Sequence, residues 1–241
     1  MLSLHCQELT EVPSIPDGIT ELHLGFNKLK KLPKLPDSIK ILYLTNNLFM
    51  SLENLPPYLE ELYINFNYIK KLPILPKTLK KLYCNYNKLE YISELPPNLK
   101  ILDCADNLLK FICDLPETLI NFECSCNSLY SLPKLPRNIK EFTCSYNYIK
   151  VIPYLPESLE VITLYKNKGL TIPEYLPPNL YEFSIGKYEY MNDTLNDLID
   201  SIAKDRHKKR CETFHEELVQ KSWHPSRVEK WLEAGLDIDD C

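Results

Sequence analysis

Glycine is scarce in this chain, with five in 241 residues, which excludes a flexible glycine-rich, low-complexity segment. No run of about 18 apolar residues occurs, so no membrane span is expected. The opening stretch MLSLHCQELTEVPSIPDGIT has neither a basic start nor a long apolar run, and no secretory signal is read from it. The motifs G-x-S-x-G, G-x-x-x-x-G-K and H-E-x-x-H are all missing, which removes the commonest hydrolase, phosphate-loop and zinc-protease readings. An excess of positive charge is missing too. Residues 1–188 hold 20 basic and 20 acidic side chains, and residues 189–241 hold 8 and 13, leaving the net −5 in the tail. Phosphate neutralisation needs a positive surface, so nucleic acid is not expected as a partner.

What the chain does have is a period. Asparagine recurs every twenty residues at Asn27, Asn47, Asn67, Asn87, Asn107, Asn127, Asn147 and Asn167. Around it the unit reads L-x-L-x-x-N-x-L-x-x-L-P-x-L-P-x-x-L. The first copy is degenerate, with Gln7 in place of Asn between Leu2, Leu4 and Leu9. Phe183, Ile185 and Tyr188 close the series, shifted by an extra residue placed near Gly169. About ten strands are expected over residues 1–188.

The L-x-L pair alternates with period two, so one side of a short strand faces inward. The Asn ends the strand, and its amide can both donate to and accept from the backbone of neighbouring coils. One coil cannot bury its own apolar side, but a stack can. Most of the nineteen prolines fall on the return leg, as in Pro73 and Pro76 or Pro133 and Pro136. They forbid helix there, and an extended, polyproline-like leg is expected.

Nine cysteines suggest a disulfide framework at first sight. Cys84, Cys104, Cys124 and Cys144, however, occupy the repeat position held elsewhere by Leu24, Leu44, Ile64 and Leu164. A residue exchangeable with leucine behaves as a small buried hydrophobe. Together with the odd count, this points to reduced thiols and an intracellular compartment. Oxidation between neighbouring strands is the alternative.

The unit is the leucine-rich-repeat pattern. Its short L-P-x-L-P form resembles repeats of bacterial effector proteins injected into host cells. It is still more similar to leucine-rich-repeat proteins of amoeba-infecting giant viruses, with which it shares an Asn- and Lys-rich composition and phrases such as LPPNLK and LPKTLKKL. The resemblance covers residues 2–188. It implies a β-rich repeat solenoid with a curved parallel sheet that binds proteins on its concave side, and, for a viral protein, a host partner met in the host cytoplasm.

The residue between the two buried positions forms the central column of that sheet: Ser3, His23, Tyr43, Tyr63, Tyr83, Asp103, Glu123, Thr143, Thr163, Ser184. The column before the Asn runs Phe26, Asn46, Phe66, Tyr86, Asp106, Cys126, Tyr146, Lys166. Tyr43, Tyr63 and Tyr83 beside Phe66 and Tyr86 make an aromatic patch, and tyrosine offers wide contact at low entropic cost. Asp103, Asp106 and Glu123 make an acidic neighbour suited to a basic segment. The competing reading is that the tyrosines stabilise the sheet by cross-strand stacking. Lys30–Lys31, Lys70–Lys71 and Lys80–Lys81 read as solvated loop positions.

Beyond Tyr188 the spacing changes. Leu195, Leu198, Ile199 and Ile202 have helical spacing after a cap at Asn192 or Asp193, and a second helix is expected from Pro225 to Gly235. Residues 189–241 are therefore read as an α-helical cap on the open end of the solenoid. His207, Cys211, His215 and His224 could be weighed as zinc ligands, but the cations Lys208, Lys209 and Arg210 among them oppose a metal ion. Neither a metal nor another cofactor is expected. Related effectors carry a ubiquitin-ligase domain with a C-x-D motif, whereas Cys211 here is followed by Glu212 and Thr213. The sequence thus describes a monomeric, non-enzymatic protein-binding module, the alternative being an adaptor that delivers bound proteins to ubiquitin machinery through its tail.

Overall fold

A computed structural model of the chain describes residues 1–171 and 176–184. The predicted tail, its helices, its His and Cys residues, and the closing Ile185 and Tyr188 lie outside the described residues. Twelve short strands follow one another: β1 Leu2–Ser3, β2 Glu21–His23, β3 Ile41–Tyr43, β4 Glu61–Tyr63, β5 Lys81–Tyr83, β6 Tyr91–Ile92, β7 Ile101–Asp103, β8 Phe111–Ile112, β9 Asn121–Glu123, β10 Glu141–Thr143, β11 Val161–Thr163 and β12 Glu182–Ser184. Ten of them form one parallel sheet in chain order, while β6 and β8 pair separately on the next side of the coil. The register advances by twenty residues at each step, as in Leu62 opposite Leu82, so identical repeat positions stack into columns. Only between β11 and β12 is the step 21, Ile162 facing Phe183.

That extra residue does not sit at Gly169, where the sequence placed it. Asn167 still pairs with Asn147, and Thr171 with Val151, at twenty. The turn that follows is closed by Leu180 N–H on the Pro177 carbonyl, 21 residues after the equivalent Leu159–Pro156 turn. The insertion therefore falls between Thr171 and Pro177. There the two prolines of the return leg are separated by one residue more than in the preceding coil.

Inward-facing Leu, Ile, Phe and Cys side chains form a continuous core, among them Leu22, Leu42, Leu62, Leu82, Leu102, Phe122, Phe142 and Ile162. Cys84, Cys104, Cys124 and Cys144 are fully buried and unbridged. The thiols of the first three point at carbonyls of the next strand, 3.3–3.5 Å away. Burial pushes the Cys84 thiol well above its ordinary pKa, and those of Cys104 and Cys124 likewise. A thiol kept protonated in this way is a poor nucleophile.

The asparagines carry the polar half of the stacking. Asn107 Nδ2 donates to Cys84 O of the preceding coil at 3.0 Å and to Cys104 O of its own at 3.2 Å. Its Oδ1 accepts from Leu89 N at 2.9 Å. Asn47, Asn67, Asn87 and Asn127 repeat the pattern. Each amide satisfies backbone groups that the bend leaves without a partner in the sheet.

The bend itself is made by the residue just before each Asn. Phe26, Asn46, Phe66, Tyr86, Asp106, Cys126, Tyr146 and Lys166 all have φ between 50° and 55°. This left-handed conformation costs a non-glycine residue about 1–2 kcal/mol. Offsetting hydrogen bonds run to the next coil, such as Tyr86 N to Ala105 O at 3.1 Å and Asp106 N to Ser125 O at 2.9 Å.

The return leg is less extended than the proline spacing implies. A proline in twenty-residue register from Pro36 to Pro156 opens each tight turn, closed for example by Leu59 N–H on Pro56 O and Leu79 N–H on Pro76 O. Proline fixes φ where such a turn begins, and its missing N–H is not needed there. Successive turns are tied by side chains. Thr78, Thr118 and Ser158 donate hydroxyls to Leu59 O, Leu99 O and Ile139 O at 2.6–2.7 Å. In the alternate coils, the Asn98 and Asn138 amides donate to Lys77 O and Glu117 O.

Candidate protein-binding face

On the sheet, the column between the two buried positions carries its rings face to face. His23 lies 4.2 Å from Tyr43, Tyr43 lies 4.3 Å from Tyr63, and Tyr63 lies 4.7 Å from Tyr83, with interplanar angles of 6–21°. Parallel strands set equivalent residues about 4.8 Å apart, close to the offset-stacking distance of aromatic rings, so the ladder follows from the register. Stacking covers the faces, and Tyr43, Tyr63 and Tyr83 are half-buried rather than fully exposed. The exposed rings are those of the left-handed column, Phe66 and Tyr86, each 47% accessible and stacked on one another at 4.3 Å.

Polar groups pin the ladder. Tyr63 Oη donates to Glu61 Oε2 at 2.8 Å, and Lys81 in turn pairs with Glu61 at 2.9 Å. Burial, reinforced by the Glu61 carboxylate, raises the Tyr63 phenol far above the usual range, so it stays a neutral donor. His23 and Glu21 make the equivalent contact one end of the ladder away, at 2.8 Å.

Both columns change character at one step of the solenoid. Tyr83 is followed in register by Asp103, which faces Glu123 on the next strand, and Tyr86 is followed in its column by Asp106. Asp103 Oδ1 accepts from Ala105 N at 3.2 Å, and Glu123 Oε1 from Ser125 N at 2.8 Å. Burial first, then the neighbouring Glu123 and Asp106 charges, pushes the Asp103 carboxyl up to about 6. Asp106 likewise raises the exposed Tyr86 phenol. Among the described residues, none of the three carboxylates is paired with a cation.

The raised Asp103 pKa has a definite sign. A carboxyl whose folded value lies above its unfolded value near 4 burdens the fold when ionised, and the burden lifts as pH falls through about 6. Asp103→Asn should therefore raise the thermal midpoint at pH 7.5 by about 2–4 °C, the shift that roughly 1 kcal/mol makes in a domain this size. Its advantage over the native chain should shrink as pH falls below about 6 and vanish only below about pH 4. A midpoint that drops at pH 7.5 would mean the carboxylate is held by contacts stronger than its desolvation.

The structure thus brings Tyr43, Tyr63, Tyr83, Phe66, Tyr86, Asp103, Asp106 and Glu123 onto one sheet face. It adds a column the sequence reading passed over: Glu21, Glu61, Glu141 and Glu182 at the first position of their strands. Their signal was an acidic residue recurring just before the L-x-L pair. Among the described residues no cluster of His, Cys, Asp and Glu is arranged to hold a metal ion, and no helix is long and apolar enough to cross a membrane.

No family model and no curated protein matches the chain. Solved structures do. YopM from Yersinia enterocolitica WA-314 is 31% identical over 74% of this chain and 48% of its own, with a TM-score of 0.57. YopM from Yersinia pestis, a leucine-rich effector protein, is 31% identical over 70% of this chain and 54% of its own, at 0.61. The leucine-rich-repeat domain of a Shigella effector is 27% identical over 66% of this chain and 70% of its own, at 0.55. The chain spans about half the length of the two YopM structures it matches. In its described residues it is a parallel-sheet solenoid of the leucine-rich-repeat type, similar in fold and repeat to these bacterial effectors.

Proposed function

We propose that the chain is a non-enzymatic scaffold that binds a partner protein on its sheet face. Tyr43, Tyr63, Tyr83, Phe66 and Tyr86 supply the contact area, and Asp103, Asp106 and Glu123 orient a basic segment of the partner. The observation that carries this reading is the run of stacked rings ending against carboxylates that no cation among the described residues neutralises. Rings already held by their neighbours lose little side-chain freedom on binding, so more of the contact energy remains as affinity. The carboxylates favour basic encounter partners and repel acidic ones. The solved neighbours include bacterial effectors. With the repeat phrases shared with giant-virus proteins, this supports a host protein as the partner and the host cytoplasm as the compartment.

Pull-down of a cell lysate with the full chain, followed by affinity measurement on the captured protein, tests the proposal. Tyr63→Ala combined with Tyr83→Ala should weaken that affinity at least tenfold. Loss of the stacked pair also takes roughly 1 kcal/mol from the fold, so affinity is measured well below the thermal transition. Unchanged affinity on a folded double variant would show that the tyrosines serve the sheet alone. Ubiquitin machinery captured by the full chain and lost from residues 1–188 would replace this reading with the adaptor one.

A further inference from the structure

Several exposed apolar residues lie off the sheet face, on the adjoining flank where the chain leaves the Asn bend. Here Met50, Tyr91, Leu108, Phe111, Tyr130, Tyr148 and Val151 are 42–71% accessible. Backbone bonds hold this flank in register from coil to coil, such as Leu108 N to Leu89 O and Tyr148 N to Leu129 O. Tyr91 faces Phe111 across the β6–β8 pair, and Tyr130 stacks on Tyr148 at 5.2 Å. These residues form a continuous strip along the solenoid.

The strip is also basic. Its positions one, three and four residues after each Asn, from residue 28 to residue 151, hold eight lysines and a single carboxylate, Glu90. Lys28 is paired with Glu8. Lys30, Lys31, Lys70, Lys71, Lys88, Lys110 and Lys150 make no ion pair among the described residues, and Lys88 sits over the Tyr68 ring at 5.1 Å. The balanced charge of the repeats therefore conceals a separation: acidic on the sheet face, basic on the flank. Lys30, Lys70, Lys110 and Lys150 recur every second coil, about 10 Å apart at parallel-strand spacing. Met50 and Tyr130 fall in the coils between.

We propose that this flank docks an acidic amphipathic helix of another protein. Two helical turns advance about 10.5 Å, so carboxylates seven residues apart meet lysines two coils apart, while apolar residues at the intervening turn meet the exposed rings. An added strand is disfavoured, because the flank's backbone N–H groups are already bonded between coils. Single-stranded nucleic acid would need free ring faces and cations at phosphate spacing. Tyr130 and Tyr148 stack on each other, and Met50, Leu108 and Val151 offer no face at all. This site is separate from the sheet face and does not depend on the reading given for that face.

The test uses the full chain and a labelled synthetic helix with Glu at every seventh position and Leu at the third and fourth positions between. Fluorescence anisotropy should show saturable binding that weakens at 0.5 M salt. Lys70→Glu with Lys110→Glu and Lys150→Glu should weaken it at least tenfold without moving the thermal transition, and so should Tyr130→Ser with Tyr148→Ser. Tyr63→Ala with Tyr83→Ala should leave it unchanged. No binding up to 0.1 mM overturns the proposal. So does preferential binding of a (dT)20 oligonucleotide or phosphatidylserine vesicles, or a concentration-dependent self-association that the lysine variant abolishes.

Discussion

Asn107→Ala is expected to cost the solenoid about 2–4 kcal/mol and to divide its unfolding. Leu89 N–H, buried between two coils, has the Asn107 oxygen as its side-chain acceptor at 2.9 Å. An orphaned buried donor costs about 1–3 kcal/mol. The three donations from Nδ2 to Cys84 O, Cys104 O and Ala105 O are lost as well, although Asn87 and Asn127 still reach the first two of these carbonyls. Asn107→Asp should be worse at neutral pH. One oxygen can keep the Leu89 contact, but the other then faces carbonyl oxygens in a buried site. The introduced carboxyl would have a folded pKa above its unfolded one, so stability should return in part as pH falls through that value. In a stack where each coil contacts only its neighbours, a weakened interface lets the two halves melt apart. Urea unfolding should therefore show a lower midpoint and a shallower or two-step transition. A variant Asn107→Asp as stable as the native chain at pH 7 would show that the ladder is ornamental.

The second large effect is in the core. Phe142 is fully buried, and its ring lies 5.5 Å from that of Phe122 in the neighbouring strand. Phe183 repeats the ring at this position in the last strand, and the remaining coils carry Leu or Ile. Phe142→Ala should cost about 3–5 kcal/mol, because the stacked backbone on either side cannot collapse into the cavity. Tyr154→Ala, at a site 70% exposed on the return leg, is the control and should change stability by less than about 0.5 kcal/mol. Thermal or urea unfolding of the two variants checks both values, and comparable small losses would mean the core around Phe142 is loosely packed.

Much of this architecture could be read from the residues. The twenty-residue spacing of Asn, with the inward L-x-L pair before it, forces the coil, the stack and the parallel sheet. The exchange of Cys for Leu at residues 84, 104, 124 and 144 correctly placed those thiols in the core. Cross-strand stacking of the central tyrosines was one of the two readings the residues offered, and ring spacing matched to strand spacing does lay them on one another. Other features were not legible, each for a physical reason. The left-handed bend carries Phe, Tyr, Asp, Cys and Lys but no glycine, so nothing in the composition marked it. The local cost is met by contacts with the next coil, which a linear reading does not contain. The lysines of the flank looked like separate solvated loops, because their common side becomes visible only after coils are superposed. The extra residue was assigned to the glycine, the usual site of irregularity, although the spacing of the following prolines held the information.

The turn ladder has a consequence for how the chain can change length. Hydroxyl-bearing Ser38, Thr78, Thr118 and Ser158 alternate with coils whose turns carry Tyr58, Asn98, Asn138 and Asn179, and the flank lysines keep the same beat. The physical building block is thus a pair of coils. Adding or removing one coil would set like turns side by side and shift every downstream lysine out of phase, whereas adding or removing two would leave both patterns whole. Variation in size is easiest in forty-residue steps, and a graft of one coil would preserve the core while scrambling the outside.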